Sequence, residues 1–256
     1  MFWDFIILVC YMVISVILTR QLIMVSEGKK GEQEVKPVAV LAFIAGILVA
    51  ATSFVFSFQT ARPMWNNPVQ PLSFLVAALV VALAVMIILT YVLSKKGISP
   101  IPIELSAKMG KAAAMLLFVE LIIVIGEVLI GLYPGAGDEY ETVKWLVAGE
   151  GAVGFWLEII ALIAAIGLLS SKGSHQNRNM LVTGAAIAFL GICLVKSNLL
   201  QAELFNPLLS YPGLALNDAI VGPYIPSLLE IGLSLGIVSL GCLLLALGLR
   251  KLNLVD

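Results

Sequence analysis

Polar and charged residues in this chain are not spread evenly. They gather in short clusters separated by long apolar runs. Seven such runs stand out, at roughly 4–25, 37–59, 71–94, 111–133, 146–170, 179–197 and 226–249. A helix needs ~20 mainly apolar residues to cross a bilayer core, and each run reaches about that length. None alternates strictly between apolar and polar positions, so helices rather than barrel strands are the spanning element. Proline marks several boundaries. Pro37, Pro71 and Pro226 fit the first turn of the second, third and seventh spans, where a missing N–H costs nothing. Pro100 and Pro102 prevent a continuous helix through the connection before the fourth span. The predicted fold class is an all-α integral membrane protein with seven transmembrane helices, a multi-pass protein of the cytoplasmic membrane.

Composition agrees: 61% of residues are hydrophobic and 12% are charged. The formal net charge of −1 offers no basic stripe for nucleic acid. Cys10, Cys193 and Cys242 lie scattered inside apolar runs, with no paired or metal-ligating spacing, and read as packing residues. Basic residues set an orientation. Twelve (Arg20, Lys29, Lys30, Lys36, Lys95, Lys96, Lys108, Lys111, Lys172, Arg178, Arg250, Lys251) flank connections on one side, and three (Arg62, Lys144, Lys196) lie on the other. The positive-inside bias then places the amino terminus outside and the carboxyl terminus inside. Residues 1–25 carry no basic leader and no small-residue cleavage site. An outward start without a signal is expected of a chain that lacks earlier helices.

The apolar runs carry acids. Glu120 and Glu158 fall near mid-depth, while Asp4, Glu127, Glu150 and Glu230 fall nearer the outer ends of their spans. An ionisable residue at the bilayer centre costs ~2.5–3.5 kcal/mol on insertion scales, so such positions call for a reason. Glu120 and Glu127, seven residues apart, share one helix face, and Glu150 and Glu158 do nearly so. One reading is half of a proton route, open to the outside. Lys196 and Arg62 lie on the same side to pair with the outer acids. The plainer reading makes Asp4, Glu150 and Glu230 helix-start residues complementing the helix dipole, and Glu120 and Glu158 neutral acids bonded between helices. No pair of histidines at helical spacing is present to ligate haem, and His175 lies in an inner loop. No metal or haem site is expected in this chain.

An ordered series of motifs runs through these spans. Trp3-Asp4 and Tyr11 open it, followed by Arg62-Pro63-Met64-Trp65-Asn66 with Pro71, then Glu127, Tyr133 and Glu139. Trp156, Lys196-Ser197-Asn198 and Tyr224-Ile225-Pro226-Ser227-Leu228-Leu229-Glu230 complete it. Together they resemble the NrfD/PsrC family of quinone-interacting membrane subunits. The final Tyr-x-Pro-Ser-x-x-Glu helix is similar to the ten-helix branch found in Hyb-type hydrogenases and alternative complex III, and this chain resembles the last seven helices of that pattern.

The resemblance implies two four-helix bundles side by side. Residues 1–60 would be half of the first bundle and 61–197 the second. Residues 198–256 would supply an outer connection and the final helix. It further implies a membrane subunit without a cofactor of its own, with menaquinone or ubiquinone as substrate. Implied partners are a ferredoxin-type iron–sulfur subunit, a molybdopterin, hydrogenase or multihaem catalytic subunit, and another membrane chain supplying the early helices. By the same comparison Asp4, Tyr11, Glu127 and Glu230 would be proton-handling or site-forming positions, with Arg62 and Trp65 near the quinone-site mouth. Glu120, Glu150 and Glu158 join the proton-route candidates through their places in the spans. The family often has a tyrosine or histidine about three helical turns before the Arg-Pro pair. Here Ala51-Thr52-Ser53 occupies that region, so the Thr52 and Ser53 hydroxyls are its candidates.

Two other functions compete. A stand-alone seven-helix proton or solute transporter would use the same acids, although such proteins usually show helices broken at mid-membrane, whereas these prolines sit at helix ends. The other is a seven-helix receptor or retinal protein; retinal chemistry would need a lysine in the final span, and residues 226–249 contain none.

Overall fold

Helix formation follows from the apolar runs, because a backbone in hydrocarbon must satisfy its polar groups internally. The structure, a computed structural model, describes residues 2–58, 65–97, 102–173, 176–205 and 226–251, apart from the side chains of residues 3, 4, 26, 56, 205 and 249–251. Its helices are α1 (Phe2–Ser26), α2 (Glu32–Thr52), α3 (Phe54–Ser57), α4 (Gln70–Lys95), α5 (Ile103–Leu132), α6 (Asp138–Ala148), α7 (Ala152–Ser170), α8 (Arg178–Phe205) and α9 (Leu228–Lys251). Seven of them are long and apolar enough to cross a membrane, as the runs predict. The protein is a multi-pass membrane protein.

Several boundaries differ from the sequence expectation: the fourth spanning helix starts at Ile103 rather than 111, the run 37–59 breaks after Thr52, and three further differences have local causes. The second helix starts at Glu32, not Pro37, which becomes its sixth residue. Gly31 takes an extended N-cap conformation, and Glu32 and Glu34 in the first turn complement the helix dipole. Those gains offset the one hydrogen bond that Pro37 cannot donate to the Gln33 carbonyl. The run 146–170 is not one helix. Gly149 and Gly151, each about 1 kcal/mol worse than alanine in a helix interior, flank Glu150 and divide α6 from α7. The sixth span does not stop at Ser197. Leu199, Leu200, Gln201, Ala202 and Glu203 are good helix formers, and α8 continues to Phe205.

The chain divides into two units, Met1–Ser53 with Ile225–Asp256, and Phe54–Tyr224. In the first, α1 and α2 pack as an antiparallel hairpin. Their turn closes with the Gly28 N–H on the Val25 carbonyl and the Lys29 N–H on the Met24 carbonyl. Gly28 has φ 68°, a conformation that glycine adopts without a Cβ penalty. The described side chains of α9 from Leu228 to Leu247 are exposed.

In the second unit α4, α5, α7 and α8 form a four-helix bundle. Neighbours around the ring run α4–α5–α7–α8 and back to α4, and α6 packs on α5, α7 and α8. Each bundle helix turns one stripe inward, with buried residues spaced by three or four: Val80, Ala84 and Ile87; Ala113 and Leu117; Leu162, Ala165 and Leu169; Leu181, Ala185 and Ala188. The outward faces are as apolar as the inward ones, as with Met115, Phe118, Ile122 and Ile160. What distinguishes inside from outside is small and polar residues, as expected where lipid is itself apolar.

At one end of the bundle the Arg178 Nη1 donates to Ser94 Oγ at 2.7 Å, and the Tyr91 hydroxyl donates to Asn179 Oδ1 at 3.0 Å. The Thr90 and Ser106 hydroxyls are 3.1 Å apart, tying α4 to α5. The opposite end, where α4 begins and α5 finishes, carries the acids.

Candidate functional site

The inward stripes of the bundle change from apolar to polar on approaching this second end. On α5 the stripe Ala113, Leu117 leads to Glu120, which is completely buried. Glu120 lies about 18 Å along the helix from its end at Leu132, at 1.5 Å per residue. Its Oε1 accepts from Ser73 Oγ of α4 at 2.7 Å. Lys196 Nζ of α8 donates to the same hydroxyl oxygen at 2.7 Å and stands 3.4 Å from the same carboxylate oxygen. The Lys196 ammonium also lies 4.5 Å from the Phe74 ring centroid. Buried charge is tolerated only when paired and bonded, and Lys196 with Ser73 meets that need for Glu120. Glu120 Oε2 is buried without a hydrogen-bond partner among the described residues.

Two turns along α5, Glu127 Oε1 accepts from Gln70 Nε2 at 2.8 Å and from Asn67 Nδ2 at 3.4 Å. Asn67 does double duty. Its Oδ1 accepts the Val69 N–H and its carbonyl accepts the Gln70 N–H, which starts α4 at this point. On α7, buried Glu158 accepts through Oε2 from Asn198 Nδ2 at 2.7 Å. Gly154 makes room for that amide: a Cβ there would stand 2.6 Å from Asn198 Oδ1. Farther along α8, buried Glu203 accepts the Trp65 backbone N–H at 2.9 Å, fixing the segment that leads into α4.

A cavity of about 30 Å³ lies among these groups. Its wall includes Gln70, Glu127, Glu158, Lys196 and Asn198, completed by apolar Val124, Val128, Leu146, Phe155, Val195 and Leu199. A space of this size with polar groups on its wall can hold a water molecule or two.

The structure therefore brings together four of the sequence candidates: Glu120, Glu127, Glu158 and Lys196. The remaining candidates have settings of their own or lie outside the described residues. Glu150 is exposed in the turn between α6 and α7. Glu230 is exposed at the start of α9, where its carboxylate accepts the Ser227 N–H and hydroxyl while Ser227 Oγ accepts the Glu230 N–H, a reciprocal capping box. Tyr11 is an exposed residue of α1 whose ring lies against Gly46 of α2. The Thr52 and Ser53 hydroxyls donate to the Val49 and Ala50 carbonyls of their own helix. Trp65 is half-buried and is held through its backbone. Arg62, His175 and the Asp4 side chain lie outside the described residues. Gln70, Ser73, Asn67 and Glu203 are not among the sequence candidates. A sixth span ending at Ser197 leaves Glu203 in a connection, and neutral polar residues near a helix end give no signal in the sequence.

Sequence comparison places this architecture. Residues 1–205 match the family described as "Polysulphide reductase, NrfD". The chain belongs to the NrfD family. The match takes in the whole acid cluster and ends before α9, so the Ser227–Glu230 cap lies beyond it. The chain is 27% identical over 213 residues to a selenate reductase subunit of Mesobacillus selenatarsenatis, covering 80% of this chain and 49% of that protein. It is 27% identical over 177 residues to the protein NrfD homolog of Haemophilus influenzae, covering 67% of this chain and 54% of the relative. This NrfD chain thus spans about half the length of both relatives. Among its described residues no group of three or more histidine, cysteine or acidic side chains converges to hold a metal ion.

Proposed function

We propose that this NrfD-family chain is the membrane subunit of a respiratory redox complex that exchanges electrons between the quinone pool and an iron–sulfur partner subunit. A carboxylate-lined proton route serves the exchange from the outer side. The observation that carries the reading is the convergence of Glu120, Glu127, Glu158 and Lys196 at one end of the bundle, in a chain of this family. Quinone chemistry couples electrons to protons. The chain's own part is to provide buried groups that accept and release protons where water is scarce. Glu120 is held by Lys196 as a fixed charge pair. Glu127 and Glu158 have only neutral amide donors, so they are the groups free to exchange a proton.

The partner subunit is of the ferredoxin type, joined to a molybdopterin, hydrogenase or multihaem catalytic subunit. The Mesobacillus relative is by its name one subunit of an assembly that reduces selenate, and this supports a comparable place for the present chain. The twelve basic residues that flank one set of connections support an inner face on that side.

Glu127→Gln in the assembled complex is expected to lower quinone-linked turnover about a hundredfold, the low end of what a positioned proton-transfer group contributes. Unchanged turnover with normal assembly removes Glu127 from the route. Solute transport by the purified chain alone would favour the transporter instead.

A further inference from the structure

The cavity beside the acids has a property the proton route alone does not require. Glu127 and Glu158, on α5 and α7, both line it. Each carboxyl is fixed through one oxygen: Glu127 Oε1 by Gln70 and Asn67, and Glu158 Oε2 by Asn198. The second oxygen of each, Glu127 Oε2 and Glu158 Oε1, accepts from no donor among the described residues. Two carboxyl oxygens beside a space of about 30 Å³, with Gln70, Ser73, Lys196 and Asn198 on its otherwise apolar wall, meet the requirements for a bound water: room for at least one probe sphere, and two or more polar partners.

We propose that this cavity is an internal water site and that its water joins Glu127 and Glu158 into a single unit holding one exchangeable proton. The water site stands on the geometry alone; its use in turnover rests on the function proposed above. The proton balance is simple. A protonated Glu127 gives its proton to the water as the water gives another to the Glu158 carboxylate, and the pair's total charge does not change. The surrounding charges favour one proton on the pair. α5 and α8 present Glu120 and Lys196, already matched one to one, and α4 presents only neutral Gln70 and Ser73. From α6 the wall receives apolar Leu146. Two ionised carboxylates would share one cavity wall without a cation of their own, so holding one proton between them is the favourable arrangement.

The test is infrared difference spectroscopy of the full chain in a lipid bilayer, without quinone or partner, in ordinary water and in water labelled with heavy oxygen. The expected result is a label-sensitive band of a bound water and a carboxyl C=O band of Glu158 that shifts in Glu127→Gln. Val195→Ile, which adds a methyl group to the cavity wall and keeps every charge, is expected to abolish the water band and decouple the two carboxyls. It gives the same reading should Glu127→Gln fail to fold. A Glu158 band unmoved by both variants, or the absence of any label-sensitive band, overturns the proposal. Neither measurement depends on turnover, so a failed quinone assay counts against the proposed function and leaves the water site standing.

Discussion

Gly154 decides how closely α8 can bring an amide to Glu158. Any side chain there would displace Asn198, whose Oδ1 would lie 2.6 Å from the new Cβ. Gly154→Ala is therefore expected to break the Asn198–Glu158 hydrogen bond and lower thermal stability in detergent by about 0.6–2 kcal/mol, the span found for bonds between membrane helices. In an Asn198→Ala background the same substitution should cost little; an equal cost in both backgrounds would mean that Gly154 serves backbone packing alone. At this scale the sequence is legible where a charge interrupts an apolar run, because only a charge is expensive enough there to stand out. Glu120, Glu127, Glu158 and Lys196 are visible in that way. Gln70, Ser73 and Asn198 are cheap near a helix end whether or not they touch anything, and a glycine that admits a partner looks like any other. Glu150 draws notice for the same reason as Glu158, yet it lies in an exposed turn.

Among the helices, α9 shows how a motif can carry more than one meaning. Ser227-Leu228-Leu229-Glu230 reads as a family signature, and it is also a capping box with both reciprocal bonds formed. Ser227→Ala is expected to weaken the helix start by about 0.5–2 kcal/mol and speed amide exchange at Glu230 and Ile231. Glu230→Gln should preserve the cap, since glutamine also serves at this position. If Glu230→Gln leaves amide exchange unchanged but lowers quinone-linked turnover, Glu230 handles protons as well as capping. The spanning helices are readable from run length. Their ends are not, for local reasons: Pro37 is tolerated inside α2, paired glycines divide an apolar run at Gly149–Gly151, and helix-favouring residues carry α8 past Ser197.

For the whole molecule, the ring order α4–α5–α7–α8 means that every helix of the bundle gives the acid cluster at least one group. The orientation proposed from charge placement is open to direct measurement. With Cys10, Cys193 and Cys242 replaced by serine, Lys29→Cys and Lys172→Cys are expected to react with an impermeant thiol reagent from the cytoplasmic face, and Glu141→Cys from the opposite face. The reverse pattern would overturn the inside-positive assignment. The ring order also has a temporal side. Ribosomes deliver α5 and α7 before α8, so Glu120 and Glu158 enter the membrane before Lys196 and Asn198 have been made. Each acid then meets an insertion penalty of ~2.5–3.5 kcal/mol with no partner from α8. A nascent chain stalled before residue 196 would hold Glu120 and Glu158 without their α8 partners, so the bundle's polar end can be completed only when α8 arrives.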